Sequence, residues 1–119
     1  MDIIKVADKI EAYIEQIEKC KDALRTRSDA RAEAIGAYEK QLGITIMKLK
    51  NGIEFTLDDT TIKEPPVTIT ERVARAICFQ EKITMEQTET EYKNLTKGID
   101  AFMACLNGWQ SIYKHLPEK

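Results

Sequence analysis

From Ile3 the apolar positions fall at Ile3, Val6, Ile10, Tyr13, Ile17, Cys20 and Leu24. Their alternating steps of three and four place them along one side of a helix. Residues 25–33 are polar, and the line resumes at Ile35, Tyr38, Leu42, Ile46 and Leu49. The gap from Leu24 to Ile35 is out of step with a heptad repeat and demands a stutter or a short break. Ser28 or Asp29 is suited to cap a second helix, whereas Ala30, Ala32, Ala34 and Ala37 favour an uninterrupted one, so both readings stay open. Asn51-Gly52 supplies the C-terminal stop.

Residues 51–67 form an irregular connector, because β-branched residues, the pair Asp58-Asp59 and Pro65-Pro66 oppose helix formation. Within it, residues 53–57 alternate as a strand does and predict a small hairpin or an extended arm. Thr68 and Glu71 then stand at capping-box spacing before a second helical region over 69–116. That region opens on Val73, Ala76 or Ile77, Gln80 and Ile83 and crosses a polar stretch over 84–91. It then becomes regular at Tyr92, Leu95, Ile99, Phe102, Leu106, Trp109, Tyr113 and Leu116. The expected fold is therefore all-α: two long helices in a helical hairpin with coiled-coil-like seams, one domain over 1–119. Each helix would span about 47 residues and roughly 70 Å, giving a rod.

A second line, Gly98, Ala101, Cys105, Gly108 and Ile112, runs beside the C-terminal seam and consists mostly of small residues. Glycine inside a helix costs about 0.8–1 kcal/mol relative to alanine, and close approach of another backbone is the usual compensation. Gly36 and Gly43 pose the same question on the first helix. These residues, with Phe102 and Trp109 of the seam, predict a homo-oligomer, most simply an antiparallel dimer forming a four-helix bundle. The alternative is a first segment that breaks near residues 26–29 and folds back into a compact bundle of one chain.

The 119 residues carry 18 basic and 20 acidic side chains, a net charge of −2, so no general attraction to nucleic acid or anionic lipid is built in. With 43% hydrophobic and 32% charged residues, a disordered or membrane-spanning chain is not expected. The charged start of the chain lacks a signal-peptide pattern, and three scattered cysteines with one histidine give no zinc set. A cytoplasmic protein without metal or cofactor is expected.

No phosphate-binding glycine loop, nucleophile elbow or zinc-protease helix occurs, and no catalytic residue is assigned. Glu15 with Glu18 and Glu86 with Glu89 have the helical spacing that all-helical nucleotide pyrophosphohydrolases use for magnesium. The further acidic pair such enzymes need is missing, since Lys97 stands where the first acid of a pair with Asp100 would be. Solvated helix faces account for both pairs. His115, just before Pro117, suits interaction with C-terminal helix carbonyls. Residues 70–95 lack the glycine turn of a helix-turn-helix.

The strongest local charge feature is Lys19, Lys21, Arg25, Arg27 and Arg31, opposed by Asp22 and Asp29. Arginine grips phosphate through a planar, bidentate fork, so this cluster is the candidate nucleic-acid contact; a solvated helix with internal acid–base pairs is the competing reading. Stacking on single strands calls for exposed aromatics, and only Phe55 is expected to lie free of a helix.

Residues 37–42, 68–76, 91–95 and 106–112 occur in an order that resembles small all-helical accessory proteins of tailed phages, from the replication and recombination region. The plan of long helix, connector and regular second helix is similar to phage recombination mediators of the UvsY type. That resemblance implies a non-enzymatic oligomer contacting single-stranded DNA or a recombinase, in the host cytoplasm, and it transfers no individual site residue. A phage origin also implies an alternative: an anti-defence inhibitor of the anti-CRISPR type that binds a host defence protein through the acidic face of Glu81, Glu86, Glu89 and Glu91. A structural coiled-coil adaptor is the third reading.

Overall fold

The computed structural model describes residues 2–117. It is mostly helical: α1 (Ile3–Lys50), a hairpin of β1 (Phe55–Leu57) and β2 (Thr60–Ile62), α2 (Thr70–Ile77) and α3 (Phe79–Lys114). Contacts gather the chain into two compact units. One comprises the described residues of Met1–Asp29 and Thr90–Lys119, the other Ala30–Glu89. Among the described residues no helix is long and apolar enough to cross a membrane.

Helix α1 starts where Asp2 accepts a hydrogen bond from the Ile4 N–H through its carboxylate at 2.9 Å, satisfying one of the free donors of the first turn. It continues through residues 25–33, which resolves the open question of a break in favour of one helix. It ends at Asn51-Gly52 in a Schellman motif. The Gly52 N–H donates to the Leu49 carbonyl at 3.2 Å and the Ile53 N–H to the Lys48 carbonyl at 3.0 Å, with Gly52 at φ 78°. Lys48 and Lys50 in the last turn complement the partial negative charge there.

The connector contains the small hairpin. Asp58 and Asp59 both have positive φ, 46° and 63°, as the central residues of a two-residue type I′ turn require. Leu57 then faces Thr60, and Phe55 faces Ile62. A two-stranded ribbon is marginal alone, and here Phe55 and Ile62 pack on the core of unit Ala30–Glu89.

The expected capping box does not form. Pro65-Pro66 leads into a 3-10 turn over Val67–Ile69, so Thr68 lies within that turn instead of capping α2, and Glu71 pairs with Arg75 at 2.7 Å. Thr70 donates its hydroxyl hydrogen to the Pro66 carbonyl at 3.1 Å. The second helical region is also divided, at Cys78 (ψ 25°), with hydrogen bonds kept on either side: Cys78 N–H to Ala74 and Lys82 N–H to Cys78. No proline or glycine stands there; Cys78 is buried, its sulfur 3.4 Å from the Thr45 hydroxyl oxygen of α1.

In unit Ala30–Glu89 the core consists of Tyr38, Leu42, Leu49, Ala74 and Cys78, flanked by Ile46, Val73, Ile77 and Met85. The expected line holds at its start, where Val73 and Ile77 are half-buried against this core beside the buried Thr70, Ala74 and Cys78, and fails in α3, where Gln80 and Ile83 are exposed. In the other unit Val6, Ile17 and Ile99 are buried, and the rings of Tyr13 and Phe102 meet at 6.1 Å, tilted by 52°. Within each unit, contacts advance along α1 as they retreat along α3, so the two helices run antiparallel.

Candidate functional site

The five basic residues expected to touch nucleic acid do not form one free cluster. Lys19, Lys21 and Arg25 are exposed on α1. Arg27, in the same unit, donates from Nη1 to Glu91 Oε2 at 2.8 Å, with both side chains about half exposed. Arg31, in unit Ala30–Glu89, donates from Nε to Glu89 Oε2. Two of the candidate arginines are thus neutralised by two of the acids assigned to the alternative acidic face. Of the other two acids, Glu86 accepts an ion pair from Lys82 at 3.3 Å and Glu81 is half-buried.

These pairs also account for the lapse in the α1 seam. The residues of α1 turned towards α3 pass through Leu24, Arg27, Arg31, Ala34 and Tyr38 in steps of three and four, so the helical line persists while its chemistry changes from apolar to ionic. A charge that is partnered across the helix pair covers neighbouring apolar surface with its stem and offers less to a phosphate.

The residues assigned to oligomerisation separate into two sets. Phe102 and Trp109 are half-buried in the seam, Phe102 against Tyr13. Ala101, Cys105, Gly108 and Ile112 are exposed, and Gly98 is partly covered. A Cβ placed on Gly98 or Gly108 would meet nothing within 4 Å beyond its own helical turn, and the same holds for Gly36 and Gly43, so among the described residues no other backbone closely approaches any of them. Met103 and Tyr113 are large apolar side chains left uncovered in the same stretch.

One feature that periodicity did not reveal is a groove of about 720 Å³ in unit Ala30–Glu89. Its floor is Tyr38 and Leu42, and Phe79 and Ile83 stand on its wall, each 45% exposed. The Lys82 ammonium lies 5.3 Å from the centre of the Tyr38 ring, a cation–π distance. Phe79 fell outside the apolar line assigned to the second helix, and Ile83 was assigned to its buried side. Both lie exposed just beyond the division at Cys78. Phe55, expected to be the aromatic free of a helix, lies in β1 and is half-buried against the core.

The chain matches no family model, no curated protein and no solved structure.

Proposed function

We propose that this protein is a non-enzymatic helical binding protein that works by associating with other protein, first of all with copies of itself. One observation carries the reading: in the unit built from the chain's two ends, α3 leaves Ala101, Cys105, Gly108 and Ile112 uncovered beside Met103. A pair of helices has one shared interior and cannot bury a second apolar line on either helix; another helix pair can. The pairing of Arg27 and Arg31 with glutamates favours this reading over nucleic-acid binding, which would rest on Lys19, Lys21 and Arg25. A role as an accessory factor in phage replication or recombination would then be exercised through a protein such as a recombinase.

Sedimentation velocity over a wide concentration range tests the proposal. Parent protein should associate, and Gly108→Glu should weaken association while leaving the circular dichroism spectrum unchanged, since among the described residues nothing beyond its own helical turn lies within 4 Å of a Cβ at that position. A parent that stays monomeric throughout overturns it. The nucleic-acid reading is tested by titrating a single-stranded oligonucleotide at low salt. Binding that falls steeply with added salt and is lost on replacing Lys19, Lys21 and Arg25 by glutamate would favour DNA instead.

A further inference from the structure

The structure assigns Asn51, and not Asn107, as the site of spontaneous deamidation in the native protein, gated by the hydrogen bonds that close α1. The chain contains two Asn-Gly pairs, Asn51-Gly52 and Asn107-Gly108, and both asparagines are exposed. Glycine leaves the following backbone nitrogen sterically open in each pair, so local sequence treats the two alike.

The reaction needs water as its one co-reactant. The Gly52 nitrogen loses its proton and attacks Cγ of Asn51. A bond forms between them, the carboxamide C–N bond breaks, and its nitrogen leaves with that proton as ammonia. Water then opens the cyclic imide, giving aspartate by attack at Cγ and isoaspartate by attack at the main-chain carbonyl carbon.

Ring closure requires the glycine nitrogen to give up its hydrogen bond and the peptide to rotate. Gly108 lies inside α3, which continues to Lys114, so helical hydrogen bonds hold the chain on both sides of it. Gly52 lies just past the end of α1 at Lys50, with φ 78°. Its N–H donates to Leu49 at 3.2 Å and that of Ile53 to Lys48 at 3.0 Å, after which the helix is finished. Freeing Asn51-Gly52 therefore breaks two terminal hydrogen bonds, whereas freeing Asn107-Gly108 opens the interior of a helix. Helix ends open at lower free energy than helix interiors.

The product disturbs the same turn. A carboxylate at position 51 opposes the partial negative charge at the α1 C-terminus, and isoaspartate adds a methylene to the main chain that displaces the Gly52 and Ile53 N–H groups from their acceptors. Leu49, 1% exposed in the core of unit Ala30–Glu89, belongs to this turn, so the modification weakens that unit.

The experiment incubates the full chain in neutral buffer, folded or in guanidinium chloride, at a concentration where it is monomeric and association does not shield Asn107. Digestion in acid halts the reaction, and peptide mass spectrometry follows the conversion of each carboxamide to a carboxylate. Denatured chain should react at similar rates at the two sites. Folded chain should react at Asn51 more slowly than that, yet at least about tenfold faster than at Asn107. Ile53→Pro, which removes one of the two closing hydrogen bonds at an exposed position, should raise the Asn51 rate and leave Asn107 unchanged. The deamidated fraction, separated by anion exchange, should unfold at lower denaturant than the parent.

Equal rates at the two sites in the folded chain, or a faster Asn107, overturn the assignment. An Asn51 rate indifferent to both denaturation and Ile53→Pro overturns the gating by the end of α1, and an unchanged unfolding midpoint in the deamidated fraction overturns the structural consequence.

Discussion

Arg27 on α1 holds Glu91 on α3 at 2.8 Å, although 64 residues of chain separate them. The pair lies where the apolar seams of both helices give way to polar residues, and Arg31 with Glu89 repeats the arrangement in the neighbouring unit. A lapse in one hydrophobic line reads as a solvated surface as long as that helix is considered alone. It becomes a matched contact when the facing helix carries the complementary charge at the same level.

Because Arg27 and Glu91 are about half exposed, the pair is expected to contribute modestly. A double-mutant cycle with Arg27→Ala and Glu91→Ala should give a coupling of about 0.2–1 kcal/mol in urea unfolding, falling as salt is raised. A coupling of zero at low salt would show that the pair is not maintained in solution.

Leu49 and Ile83 are both large aliphatic residues with opposite expectations. Leu49 is 1% exposed in the core, so Leu49→Ala should cost about 2–5 kcal/mol by loss of burial and creation of a cavity. Under conditions where the chain is monomeric, Ile83→Ala should cost well under half as much. Denaturant midpoints with unchanged slopes would check both.

The glycines divide by environment, and the sign of an alanine substitution reports it. At Gly36 nothing lies within 4 Å of a new Cβ, so Gly36→Ala should stabilise the monomer by about 0.5–1 kcal/mol through helix propensity. Gly52 has φ 78° and a new Cβ would stand 2.8 Å from Glu64 Oε1, so Gly52→Ala should destabilise by about 1 kcal/mol or more. Thermal unfolding of the two variants should move the midpoint in opposite directions.

Asp58 and Asp59 occupy left-handed backbone positions that glycine accepts at least cost. Asp59→Gly creates the Asp-Gly pair favoured by type I′ turns and should raise stability by a few tenths to about 1 kcal/mol. Amide hydrogen exchange at Phe55 and Ile62 should slow in that variant, while an unchanged or faster exchange would show that the turn does not limit the hairpin.

What the sequence by itself determined is what neighbouring residues decide among themselves. The three-and-four spacing through Ile17, Tyr38, Leu42 and Ile99 marked the helices and the side each one buries, and all four are buried. Asn51-Gly52 marked the end of α1, because a left-handed residue closes a helix through hydrogen bonds to its own last turn.

The tertiary structure decided the rest. Thr68 lost its capping role because the 3-10 turn that follows the two prolines absorbed it. Cys78, where the second helical region divides, is buried against Thr45, a residue 33 positions away, and Phe79 and Ile83 just beyond it are exposed. Arg27 and Arg31 became partners of glutamates instead of a free cationic patch. Helical periodicity is set over a few residues, whereas the fate of a charge or an aromatic ring depends on which distant helix face meets it, and no local pattern encodes that register.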